Sequence, residues 1–247
     1  MTKGVHSEHL RICSYNIHKS VGFDRVRRPD RILEVLHETG ADIAVLQEVD
    51  RRMGERRSTL PHGLIAEHGW RVVPVADRPA AIGWHGNAIL VSRRVDIVRS
   101  ARVPLPALEP RGAVLADLEV AGKPLRVIGA HLDLSGLWRP RQVRALAGHI
   151  DGQDEALPTL VVGDFNEWRL DPPALHGLSR PLEVLRLGPS FPARWPVAWL
   201  DRMFATADLR VAEAEVHHSR LASEASDHLP VKVRLHWGSK VAGEGEG

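Results

Sequence analysis

With 247 residues, a formal net charge of +2 and ordinary apolar and charged fractions, the chain has room for one sizeable core and no general electrostatic demand for nucleic acid. Its single cysteine, Cys13, excludes an internal disulfide framework and fits a reducing compartment. No apolar run is long enough to span a bilayer, and the opening MTKGVHSEHLR has no hydrophobic signal core, so a cytoplasmic location is expected.

Residues 10–17 (LRICSYNI) alternate as a strand that finishes at Asn16. Pro29-Asp30 opens a helix with Ile32, Leu33 and Leu36 as its stripe, and Gly40 closes it. Ile43 to Leu46 form a buried strand with Gln47-Glu48 at its end. A polar stretch over 51–69 carries a short helix around Leu64. Strands follow at 70–75, 86–92, 95–103, 113–120 and 124–131, the last two joined by Ala121-Gly122-Lys123-Pro124 as a hairpin. Residues 139–150 read as a helix with Val143, Leu146 and Ile150 inward, and 159–163 as a buried strand. A Pro-rich, loosely patterned stretch runs to about 196, and strands near 200–206, 209–216 and 229–236 complete the pattern. Residues 1–9 read as a tail, 10–237 as a single domain, and the Gly/Glu-rich 238–247 as a disordered tail. Hairpins mixed with crossovers and few helices predict mixed sheets flanked by helices.

The polar residues at strand ends carry the chemistry. Asn16 follows SY, Glu48 follows AVLQ, His131 follows VIGA, and Asp201 follows AWL. Asp227-His228 precedes LPVKV. After the run TLVVG, Asp164 and Asn166 stand two residues apart, so both side chains leave one face of an extended chain. Gly-Asp-x-Asn is also good turn chemistry, and any one of these residues could be a cap or a turn. As a set they suggest a functional rim, because strand termination alone does not select Asp, Glu, Asn and His together.

In that order SYNIH, LQEVD, GNAILVS, GAHL, GDFN, LDRMF and SDHLPV resemble the endonuclease/exonuclease/phosphatase superfamily, with GDFN and SDH the most specific pieces. The resemblance covers roughly residues 10 to 236. It implies an α/β fold, a four-layer sandwich of two mixed β-sheets packed face to face with flanking helices. It also implies a divalent-metal site that cleaves phosphoesters. Glu48 resembles the main Mg2+ (or Mn2+) ligand, Asn16 its neutral companion, and Asp227 a further residue near the metal. Asp164 would orient the attacking water and Asn166 would stabilise phosphate charge. His228 matches the essential histidine, as base or as cationic clamp, with Asp201 fixing its tautomer. His131 would donate to the leaving oxygen or bind phosphate, and Asn87 in GNAIL would lie near the phosphate. Trp138 and Trp168 are expected to line the substrate cleft, and most of the tryptophans to pack the interior. Arg111 and Arg139 could contact phosphate, but surface arginines at strand and helix starts are the commoner reading.

IHKSVG after Asn16, LQEVD, and histidine at 131 depart from the abasic-site branch. The cysteine pair of secreted DNases is missing, and no membrane-seeking aromatic insertion is evident. The expectation is a metal-dependent phosphodiesterase, monomeric, acting on a phosphoester that could be nucleic acid or a phospholipid headgroup. The alternatives are a nuclease proper and a non-catalytic phosphate-binding module of the same fold.

Overall fold

The computed structural model describes residues 9–179 and 182–238, so most of both expected tails lies outside the described residues. The elements are β1 (Leu10–Asn16), α1 (Pro29–Thr39), β2 (Ile43–Gln47), α2 (His62–Glu67), β3 (Arg71–Val72), β4 (Ala88–Val91), β5 (Val95–Pro104), β6 (Gly112–Val120), β7 (Lys123–His131), α3 (Arg139–Asp151), β8 (Thr159–Asp164), β9 (Glu183–Val184), β10 (Asp201–Ala205), β11 (Leu209–Val216), α4 (Arg220–Ala225) and β12 (Val231–Trp237). They form two six-stranded sheets, ordered β11-β12-β1-β2-β4-β3 and β5-β6-β7-β8-β10-β9.

Each sheet is built around one parallel pair in an otherwise antiparallel array. In the first, β1 and β2 run parallel with α1 between them in sequence; in the second, β7 and β8 run parallel with α3 between them. A parallel pair needs a crossover long enough to hold a helix, and both crossovers have one. Pro29 starts α1 with its φ already helical, and Gly40, at φ 62°, ends it in the left-handed conformation. On α3, Val143 and Leu146 pack against Leu115, Ile128, Val161 and Phe204 of the second sheet. The opposite faces of both sheets and α1 share the larger apolar cluster, which includes Val45, Val114, Val127 and Val162. The layers are therefore helix, sheet, sheet and helix, as the sequence implies. The sheets approach closely at Gly129, where an added Cβ would lie 2.4 Å from a methyl of Val45.

The structure corrects one local expectation and adds detail at two other places. The strand expected over 70–75 is only two residues long, because Pro74 has no N–H to continue the ladder. The loose stretch before 196 contains a 3₁₀ turn at Pro173–Leu175 and the two-residue β9. Helix α4 was not anticipated; it is six residues long, and Ser219 caps it by accepting from the Ala222 N–H at 2.9 Å.

Register decides where the strand-end residues go. Asn16 pairs with Gln47, so Glu48 leaves β2 beside the end of β1. His131 pairs with Asp164 across β7 and β8, and Asp201 pairs with Asp164 across β8 and β10. The C-terminal ends of both central parallel pairs thus open at one edge of the sandwich.

Candidate active site

One carboxylate oxygen is the hub of that edge. Asp164 Oδ2 accepts from Asn16 Nδ2 at 2.9 Å and lies 3.5 Å from His131 Nε2 and 3.7 Å from His228 Nε2. Its other oxygen accepts from the backbone N–H of Asn166 at 2.9 Å. Asn16, His131, Asp164, Asn166, Asp201 and His228 are all buried. Gly163 makes the close strand approach possible: its φ is 148°, and a Cβ there would meet the carbonyl oxygen of Ala130 at 1.8 Å. Asn166 adopts φ 51°, and its side chain donates to the carbonyl of Leu132 at 2.9 Å.

Asp201 Oδ2 lies 2.8 Å from His228 Nδ1 and accepts from the Ser190 hydroxyl. Burial alone would lower His228, but Asp201 and Asp164 outweigh it and push the imidazole up to about 10. His228 is therefore imidazolium at neutral pH. His131 is driven the other way, well below the usual histidine range, by burial and by the Arg111 guanidinium 2.7 Å from Nδ1. It is neutral. Burial likewise pushes Asp164 upward, outweighing the nearby His228 charge and the hydrogen bond from Asn16.

Beside the hub lies a 370 Å³ cleft whose lining includes Glu48, His131 and five cations: Lys19, Arg51, Arg52, Arg56 and Arg111. Glu48 sits at φ 59° and is ion-paired with Lys19 and, at 3.5 Å, with Arg52. Burial works to raise its carboxyl, but Lys19 and Arg52 hold it below the usual range. Arg111, expected at the surface, is buried, because the pairing of Gly112 with His131 carries it inward. Arg139 is buried too, ion-paired with Glu167 at 3.1 Å.

The remaining expected residues are less central. Asp227 is half-buried; its carboxylate accepts from the Ser226 hydroxyl at 3.3 Å. Asn87 uses its amide N–H groups on the carbonyls of Gly112, at 3.1 Å, and Trp84, at 3.4 Å, bracing the loop before β4. Trp138 is half-buried with the Arg141 guanidinium 5.2 Å above its ring. Trp168 is exposed and meets Phe191 edge-on at 5.8 Å; Phe191 in turn packs 4.9 Å from His228. Among the described residues, no group of three or more His, Cys, Asp or Glu side chains is gathered to hold a metal ion. Sequence reasoning missed Lys19, Ser190 and Phe191. Only Lys19, three residues after Asn16, carried any signal, and the stretch around Ser190-Phe191 has no periodicity to read.

Comparison with known proteins finds relatives over nearly the whole chain. The chain is similar to the uncharacterized protein YbhP of Escherichia coli (strain K12), 26% identical over 92% of this chain and 96% of that one. It resembles the crystal structure of an endonuclease/exonuclease/phosphatase from Beutenbergia cavernae DSM 12333, with a TM-score of 0.72 and 24% identity, covering 94% of this chain and 72% of that one. The human Nocturnin catalytic domain with bound sulfate anion is also similar, with a TM-score of 0.71 and 20% identity, over 94% of this chain and 95% of that one. The family model described as Endonuclease/Exonuclease/phosphatase family matches residues 13–228, and the chain belongs to that family.

Proposed function

We propose that this chain is a divalent-metal-dependent phosphodiesterase that cleaves its substrate by in-line attack of water at phosphorus. One observation carries the reading: an amide and two imidazoles converge on Asp164 Oδ2 at the mouth of a cationic cleft that holds Glu48. The donors suit Mg2+ or Mn2+, since Glu48 offers hard anionic oxygen and the Asn16 side-chain oxygen accepts only the His18 N–H, at 3.1 Å. Glu48 and Asn16, with Asp227 nearer the periphery, would hold the ion. Once bound, it would neutralise phosphate charge and steady the leaving oxygen.

The protein's own groups then have distinct tasks. Asp164 orients the attacking water and takes its proton as the new P–O bond forms and the bond to the leaving oxygen breaks. His228, charged because Asp201 stands behind it, donates Nε2–H to a non-bridging phosphate oxygen; this favours the clamp over the base. Asn166 has a second amide hydrogen beyond the one given to Leu132 and offers it to the same phosphate. His131, neutral beside Arg111, holds that guanidinium toward the phosphate. Asn87 keeps the cleft wall in place, and Trp138 and Trp168 stand beyond it on the approach to the site.

The test is hydrolysis of bis-p-nitrophenyl phosphate with Mg2+, with Mn2+ and with chelator, in wild type and Glu48→Gln. Metal-dependent turnover is expected, with at least about tenfold more metal needed by the variant. Absence of turnover with every divalent ion, in folded protein, would overturn the reading. A nuclease draws support from the same arginine-lined cleft, and plasmid and abasic oligonucleotide substrates run in parallel separate the two readings.

A further inference from the structure

We infer that this chain docks on an anionic lipid bilayer through a rim of three loops beside His228, which goes beyond the hydrolytic reading and names where its substrate would be met. Six large apolar side chains on these loops are held out of the core: Leu134, Leu137, Trp168, Leu170, Trp195 and Val197 are 60–77% exposed. Single exposed apolar residues need no explanation; six on adjoining loops do.

The loops are fastened together rather than scattered. Arg139 donates to the carbonyls of Asp133 and Leu134 and pairs with Glu167, which ties the 133–138 loop to the 167–170 loop. Arg202 donates to the carbonyls of Glu167, Arg169 and Leu170 and fixes the second loop from below. Trp168 meets Phe191, and Phe191 bridges to Ala198, so the 191–198 loop joins the same rim. Because Phe191 also packs on His228, the apolar rim runs up to the buried hub.

Its charge identifies the occupant. Arg169 and Arg194 are exposed on these loops and Arg141 is exposed in the first turn of α3 beside them, with Arg141 over Trp138 and Arg194 over Phe23 at 3.9 Å. Of the acids there, Glu167 is paired with Arg139 and Asp171 lies 3.0 Å from His176. Exposed aliphatic and aromatic side chains interleaved with arginines match the boundary between acyl chains and anionic headgroups. Stacking on nucleic-acid bases would use the tryptophans but leave Leu134, Leu137, Leu170 and Val197 without a role. The sequence showed no aromatic insertion because there is none: three ordinary loops together make the surface.

The experiment is vesicle sedimentation in chelator, so that binding is read without hydrolysis, using phosphatidylcholine vesicles with and without phosphatidylglycerol. Wild type is expected to sediment with the anionic vesicles at least about tenfold better than with the neutral ones. The double variant L137S/W195A changes two side chains that are at least 74% exposed, so its fold should be unaffected. It should bind at least about tenfold more weakly, since each side chain loses an apolar contact with the bilayer. Its turnover of a soluble chromogenic diester should match wild type. Wild type left in the supernatant with both vesicle types would overturn the inference, as would a double variant that binds like wild type. Loss in L137S/W195A of self-association or of single-stranded oligonucleotide binding, without vesicle binding by wild type, would reassign the rim and equally overturn it. Failure of the hydrolysis assay alone leaves these outcomes untouched, and the converse also holds.

Discussion

Asp201→Asn isolates the electrostatic device behind the hub. Asp201 Oδ2 takes the His228 contact at 2.8 Å and the Ser190 hydroxyl, while both Asp201 and His228 are almost fully buried. The asparagine keeps the size and one acceptor but removes the charge. The raised His228 pKa, from 6.5 to about 10, corresponds to at most about 5 kcal/mol of folding stability. The sign follows from the direction: the folded state holds the proton more tightly, so this contribution is complete below pH 6.5 and disappears as pH rises through about 10. Without Asp201, His228 keeps Asp164 at 3.7 Å and the weaker field of Asp227 against its burial, and it should be largely neutral at pH 7.5. Breaking such a pair costs about 3–5 kcal/mol at neutral pH. The assay is a histidine NMR titration joined to denaturant unfolding near pH 7 and near pH 10. Wild-type His228 should stay protonated through pH 8, and the stability gap between the proteins should narrow at the alkaline end. A wild-type His228 that titrates near 6.5, or a gap of equal size at both pH values, would refute the reasoning.

Other outcomes follow from the same geometry. Asp164→Asn preserves shape and should fold, yet lose about 10²–10⁴-fold in phosphodiester turnover; unchanged rates would remove Asp164 from the chemistry. Gly163→Ala forces a Cβ to within 1.8 Å of the Ala130 carbonyl at a φ that disfavours side chains, so it should cost about 3 kcal/mol or more, measured by unfolding midpoint. Cys13 is fully buried, with its thiol pushed up to about 12 by burial, and should react with a thiol reagent only at the rate of unfolding. Labelling as fast as a free thiol would contradict that placement.

The sandwich itself was legible because strands and crossover helices are local patterns. The 159–163 run, the Pro29 start with its Gly40 stop, and the 124–131 strand all announce themselves within a few residues. The strand-end acids, amides and histidines were legible for the same reason, since each borders an apolar run. Helix α4 was not, because six residues are too few to show a helical stripe and its cap is a single serine. Arg111 and Arg139 were read as surface residues because arginines usually are, and nothing local reveals a pairing that turns them inward.

What the sequence determined alone was therefore which residues could carry chemistry and which elements would hold them. Only the tertiary structure decided that Asn16 and Asp164, 148 positions apart, share a hydrogen bond, that His228 is charged while His131 is neutral, and that Lys19 closes on Glu48. It also decided that three ordinary loops join into one apolar rim. The physical reason is that a group's pKa, burial and partners depend on what the other sheet brings against it, and no local stretch of chain contains that information.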